Sequence, residues 1–146
     1  MNIERTLLII KPDGVARGLV GEVFQRIERK GYRIERIKDL TIDRELAERH
    51  YREHKGKPFY EDLLEYITQG PSILAVIVGE NAIENLRVIM GATDPLEATP
   101  GSIRGAYATS ITRNVVHGSD SESSAAREIQ LFFGEEAVKP GTGQQE

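Results

Sequence analysis

The chain has no cysteine among its 146 residues. That excludes a disulfide framework, a thiolate zinc site and a cysteine nucleophile, and it fits a reducing compartment. Long apolar runs are also missing. No stretch approaches the ~20 residues of a transmembrane helix, and the opening "MNIERTLLII" lacks a basic region followed by a long apolar one. The reading is a cytoplasmic protein with no membrane partner. Positive charge is in deficit: 19 Lys and Arg against 23 Asp and Glu give a net charge of -4 at pH 7. This argues against a bulk nucleic-acid or membrane binder and leaves room for a local basic pocket. There is no GxxxxGK[ST] segment and no GxGxxG, hence no Walker-type phosphate cradle and no dinucleotide fingerprint.

What is present is an ordinary folding composition, 39% hydrophobic and 29% charged, too apolar for disorder and long enough for one domain spanning 1–146. "RTLLII" reads as a buried strand stopped by "KPDG", whose Pro12 and Gly14 are turn residues. Val20, Val23, Phe24 and Ile27 share a helical face, ended by Gly31. A second strand follows in "YRIERIKDLTI". Arg44 to Ile67 is mostly helical in pattern, interrupted by "HKGKPF". "SILAVIVG" is a third strand, "NAIENLRVIMG" a helix and "RNVVHG" a fourth strand. In the last helix Ser119 and Glu122 stand at capping-box spacing before a stripe of Ala125, Ile129, Phe132 and Phe133. This order predicts an α+β, ferredoxin-like βαββαβ sandwich: an antiparallel sheet covered by helices. Residues 91–113 form a long loop before the last strand, of the kind that usually carries function. Residues 134–146 read as a C-terminal extension, mobile at its end.

Four groups carry possible chemistry. Lys11 emerges at a strand end, where α/β proteins place ligands. Arg87 interrupts an apolar helix, and Arg104 lies in the long loop between glycines. Each is a plain surface charge by itself, and together they would make a phosphate clamp; spacing does not show that they converge. His117 ends an apolar run just before a helix, whose N-terminal amides favour an anion. A neutral imidazole is a competent nucleophile toward phosphorus, and Glu128, at the edge of the last helix's apolar stripe, is placed to fix its tautomer. The competing reading makes His117 a hydrogen-bonded structural residue and pairs Glu128 with Arg127 or a lysine. His50 and His54 share the i, i+4 spacing of a zinc pair, but on a helix this charged they read as solvated.

"KPDGVARGLVGEV", "YREHKGKPFYEDL", "GATDPLEATPGSIRGAYA" and "RNVVHGSDSESSAAREIQLFF" resemble the successive signatures of the nucleoside diphosphate kinase family, from Thr6 to Phe133. The resemblance implies a phosphotransferase. It would pass the γ-phosphate of a nucleoside triphosphate (ATP, GTP or a deoxy form) to a nucleoside diphosphate such as ADP or GDP. The route would be ping-pong, through a phosphohistidine, with little base specificity. It implies that His117 is the phosphorylated residue and that Lys11 contacts the transferring phosphate. It assigns Arg87, Thr93 and Arg104 to the β and γ phosphates, Asn114 with Lys11 to the ribose, and Phe59 to stacking on the base between Leu63 and Ile111. Tyr51 would lie near the nucleophile, with Ser119 and Glu128 around it. Mg2+ would be carried by the nucleotide, with no direct protein ligand and Asp120 reaching it through water. The family forms homo-oligomers; "GEEAVKP" after the last helix favours a hexamer over a tetramer. Ala106 departs from the acidic residue many members carry after "SIRG". Two alternatives stay open: a ferredoxin-like nucleotide- or nucleic-acid-binding module without turnover, and a phosphotransferase using Ser119 or Ser121.

Overall fold

Leu7, Leu8, Ile9 and Ile10 are all fully buried, as a strand in mid-sheet with both faces covered requires. They end β1 (Ile3–Ile10), and strand parity sends them alternately into two cores. Leu7 and Ile9 pack with Leu64, Leu74, Val76 and Ile129. Leu8 and Ile10 pack with Val23, Ala75, Ile77 and Leu86. The computed structural model describes residues 2–134; the segment "EEAVKP" and the remainder of the C-terminal extension lie outside the described residues.

After β1 come α1 (Pro12–Ala16), α2 (Val20–Arg29), β2 (Arg33–Leu40), α3 (Arg44–His50), a 3-10 turn at Arg52–His54, α4 (Tyr60–Ile67), β3 (Ser72–Glu80), α5 (Ala82–Met90), α6 (Ile103–Tyr107), β4 (Val116–Gly118) and α7 (Glu122–Phe133). The sheet order is β2-β3-β1-β4, and every neighbouring pair is antiparallel. This is the ferredoxin-like α+β sandwich that the element order predicts. Helices α3, α4 and α7 cover the Leu7 face; α2, α5 and α6 cover the Leu8 face. Among the described residues no helix is long and apolar enough to cross a membrane.

Three local expectations need correction. "KPDG" is not a loop. Pro12 opens α1, because a proline at the first helical position gives up only an N–H that would be unpaired anyway. Ser119 does not cap the last helix. Ser121 does, its hydroxyl accepting from the Ser124 amide at 3.1 Å, while Ser119 is fully buried beneath. The long connection is not bare loop: α6 lies within it, capped by the Ser102 side chain on the Gly105 amide at 3.1 Å.

Candidate active site

The β1–β4 register sets His117 opposite Ile9. By parity His117 therefore faces the Leu7/Ile9 side, where α7 packs, while its neighbours Val116 and Gly118 face α5. Glu128 reaches it from the second turn of α7. Glu128 Oε1 accepts from the Ser119 hydroxyl at 2.6 Å and lies 3.0 Å from His117 Nε2. Ser119 is fixed in turn by the Leu7 amide, 3.3 Å from its Oγ. The carboxylate's other oxygen lies 3.8 Å from Arg127 Nη2 and 4.0 Å from His50 Nδ1. Burial alone would raise the Glu128 pKa. The hydrogen bond and charge of His117, with the Ser119 hydroxyl, outweigh it and hold the group down at about 2. Glu128 thus binds His117 far more closely than Arg127, and the imidazole side chain stays 22% exposed, within reach of a ligand.

The other side of the site, beyond the end of β1, is built of cations. Lys11 Nζ donates to Asn114 Oδ1 at 2.8 Å, and Asn114 Nδ2 donates to the Thr93 carbonyl at 3.2 Å. Burial, then repulsion from Arg104, lowers the Lys11 pKa to about 7, against a partial counterweight from Asp13. Burial also opposes ionisation of Asp13 and raises its pKa. Arg104 is buried, and each of its nitrogens donates to a carbonyl: Nε to Asn114 at 3.3 Å, Nη1 to Gly91 at 2.8 Å and Nη2 to Val116 at 2.6 Å. The second hydrogen on each Nη is left for an anion. Desolvation and the charge of Arg87 bring its pKa to about 10. Arg87 is exposed and touches the Gly118 carbonyl at 3.3 Å.

Between the two sides lies a strained turn. Val115 has φ 75°, where a β-branched residue is a true outlier. The Val116 amide donates to the Asn114 carbonyl at 2.8 Å, so the three residues form a tight γ-turn, costing ~1–3 kcal/mol. Its carbonyls are strapped from both sides. The Lys11 amide bonds Val115 at 2.8 Å, and Arg104 bonds Asn114 and Val116. Gly14 makes room for the approach of α1: a Cβ there would stand 3.1 Å from the Val115 carbonyl oxygen. Arg104 therefore fixes the direction of Asn114 and His117 before any ligand arrives.

The rim is open. Phe59 is 42% and Ile111 56% exposed. The Phe59 ring faces His54 at 5.4 Å and has Lys57 Nζ above it at 5.9 Å. Leu63 is half-buried against the core, and Thr93 is exposed. The Tyr51 hydroxyl is buried without a hydrogen-bond partner among the described residues. Tyr51 meets the His50 ring at 4.5 Å, which in turn meets His117 at 4.8 Å.

His50 is the residue that sequence reasoning misplaced. It is not solvated but only 4% exposed, and His54 lies beyond α3 in the 3-10 turn. The informative signal was a different spacing: Ala47 with His50 and Tyr51 at i+3 and i+4 makes an inward stripe. Among the described residues, His50, His117 and Glu128 are the one group of His, Asp or Glu side chains close enough to share an ion, with ligand atoms within 4.8 Å of one another. Two of those ligand atoms, His117 Nε2 and Glu128 Oε1, are already committed to each other at 3.0 Å, and imidazoles suit Mg2+ poorly. Asp120 is exposed, lies in a groove with Arg87, and is held ionised by the Ser124 side chain, the largest influence lowering its pKa. It fits an outer contact to a hard cation.

Residues 4–138 match the family described as nucleoside diphosphate kinase. A nucleoside diphosphate kinase of Pelotomaculum thermopropionicum is 60% identical over 131 residues, covering 90% of this chain and 88% of that protein. The solved structure of the nucleoside diphosphate kinase from Encephalitozoon cuniculi, in a cubic apo form, superposes with a TM-score of 0.91 at 36% identity, covering 97% of this chain and 96% of that one. That of Aquifex aeolicus gives 0.87 at 39% identity, covering 90% and 95%.

Proposed function

The chain belongs to the nucleoside diphosphate kinase family and moves phosphate between nucleotides by a ping-pong route through a phosphohistidine; we propose that His117 is that histidine and that the two clusters around it divide the work. The observation that carries this reading is the 3.0 Å contact of His117 Nε2 with Glu128 Oε1. It places the ring hydrogen on Nε2 and leaves the Nδ1 lone pair for phosphorus.

In the first half-reaction Nδ1 attacks the γ-phosphorus of a nucleoside triphosphate. The P–N bond forms as the bond to the β–γ bridging oxygen breaks, and the diphosphate leaves with that electron pair. The positive charge left on the ring lies against the Glu128 carboxylate, and Nε2 keeps its hydrogen. A second diphosphate then attacks phosphorus through a terminal oxygen and the P–N bond breaks. Positioning and charge neutralisation dominate such transfers. Lys11, Arg87, Arg104 and Thr93 meet the phosphates, Asn114 with Lys11 the ribose, and Tyr51 the region beside the nucleophile. Phe59 stacks on the base with Leu63 and Ile111 as apolar walls. An arene face accepts any base, which supports ATP, GTP, their diphosphates and deoxy forms alike. The divalent cation that the family's kinases need is Mg2+ in this reading; it would arrive with the nucleotide, Asp120 would contact it through water, and it would offset phosphate charge. In this reading the chain assembles as a homo-oligomer, a hexamer rather than a tetramer; Leu96, 92% exposed on the long connection, is an apolar side chain that a partner subunit would cover. A cytoplasmic location is supported by the absence of cysteine.

Labelling with a γ-labelled triphosphate tests the nucleophile. A phosphoramidate is lost in acid, because protonation makes imidazole a good leaving group, and survives mild alkali. The label should behave so, discharge onto any diphosphate, and vanish in His117→Ala with a rate loss of about 10⁴-fold or more. Acid-stable label on a serine would overturn the proposal. The Ser119 hydroxyl, committed to Glu128 at 2.6 Å, supports the histidine.

A further inference from the structure

His50 is 4% exposed, stands beside the nucleophile, and has no part in the steps above. Its ring meets His117 edge-on at 4.8 Å and packs on Tyr51 at 4.5 Å and Phe132 at 5.3 Å. Neither ring nitrogen has a hydrogen-bond partner among the described residues. A buried imidazole in that condition gives up bonds it makes in water, and an apolar side chain would fill the space without that loss. Its Nδ1 lies 4.0 Å from Glu128 Oε2, the oxygen that His117 and Ser119 leave unused. A hydrogen bond needs about 2.8 Å, and a small side-chain rotation closes the difference.

We propose that His50 is a positioning residue for phosphoryl transfer: its Nδ1–H donates to Glu128 Oε2 and so keeps Oε1 on His117 Nε2. The inference rests on the reading of His117 as the nucleophile. A carboxylate held at one oxygen alone is free to turn as charge grows on the imidazole; held at both, it is fixed in the plane it must keep. The donor has to be neutral, or it would compete with the His117 ring for the same carboxylate. Burial, then the charge of His117, holds His50 well below the usual imidazole range. Lys11 and Arg127 act in the same direction and Glu128 against it. Tyr51, the remaining titratable neighbour, stays protonated because burial raises its pKa.

Two measurements test this. Imidazole 15N–1H correlation spectra of the unaltered protein at neutral pH should show His50 neutral, with its hydrogen on Nδ1. A hydrogen on Nε2 instead, or a charged ring, overturns the proposal whether or not any variant folds. Rapid-quench phosphoenzyme formation is the second. In His50→Leu the maximal rate should fall about tenfold at unchanged KM for the triphosphate. His50→Asn, whose amide hydrogen takes the place of Nδ1–H, should restore most of the rate. A folded Leu variant at the unaltered rate, or an Asn variant no better than Leu, overturns the role. Failure of the underlying reading looks different: the unaltered protein would then carry no label on His117, and the spectra alone would decide the place of His50.

Discussion

The two sides of the β1–β4 end carry charge in opposite ways. On the Leu7 face Glu128 is an anion with partners, His117 and Ser119 at 3.0 and 2.6 Å, and its pKa falls to about 2. Beyond the end of β1, Lys11 and Arg104 are buried cations that repel each other and lose protons more readily than usual, at about 7 and about 10. The first side is complete before a nucleotide arrives. The second is completed by one, since the oxygens of a triphosphate supply the missing negative charge. The γ-turn at Val115 lies between them, strapped by Arg104 and the Lys11 amide. Catalytic geometry is therefore fixed by the fold, while electrostatic strain is kept on the side where substrate relieves it.

Removing the strained cation breaks this comparison most sharply. Lys11→Met should slow phosphoenzyme formation by about 10²- to 10³-fold yet stabilise the free protein by about 1–4 kcal/mol, as replacement of an ill-compensated buried charge often does. The folded pKa of about 7 lies below the unfolded value of 10.5. Between those values the unfolded chain holds a proton that the folded one has released, so stability rises with pH across the window and is level below it. Urea titrations at pH 7 and pH 10 should show the rise in the parent and lose this contribution in the variant. Equal slopes in both would mean that Lys11 is not strained.

The other side should respond with the opposite sign. Glu128→Gln removes a group whose pKa drops from 4.5 to about 2 on folding. Its contribution, on the order of 3 kcal/mol, is present above pH 4.5 and fades as the pH falls toward 2. The variant should be less stable at neutral pH, converge with the parent in acid, and form phosphoenzyme about 100-fold more slowly at unchanged nucleotide affinity. A carboxylate serving only Arg127 would leave that rate alone.

Legibility in the sequence followed the length of each signal. Strands β1 to β3 and the long amphipathic helices were readable because apolar runs and helical stripes repeat over many residues; β4, only three residues long, was marked by its paired valines alone. Helices α1 and α6 were not, since five residues do not complete two turns of a period. His117 and Glu128 could be suspected separately, but joining them needs the parity of β4 and the packing of α7 together. The positive φ of Val115 left no trace, because a valine normally argues against it. Arg104 gave no hint of its bonds to three carbonyls, which depend on where the chain returns. His50 was read through its spacing to His54, when its spacing to Ala47 placed it inside.

A substitution at the rim separates binding from both charged sides. Phe59 is 42% exposed and packs only loosely, so Phe59→Ala should hardly affect stability. It should weaken every nucleoside diphosphate by about 1–3 kcal/mol, measured by calorimetry, with purines and pyrimidines losing similar amounts. A large loss for purines with none for pyrimidines would show that the base is read by hydrogen bonds, and the broad substrate range would need another source.

The smallest effect is expected at an exposed position of the long connection. Ala106 is exposed on α6, two residues beyond Arg104, and its amide is already satisfied by the Ser102 carbonyl at 2.9 Å. If the cation side were governed by its long-range field, Ala106→Asp would supply a counter-charge, raise the Lys11 pKa and flatten the rise of stability above pH 7. If buried short-range contacts govern it, an exposed carboxylate is screened by water and salt. The geometry favours the second outcome, because Lys11 and Arg104 are each only 6% exposed. Stability should change by no more than about 0.5 kcal/mol, the pH slope should persist, and the phosphorylation rate should match the parent within about twofold. A flattened slope would instead move the origin of the Lys11 strain from the turn to the surface of the long connection.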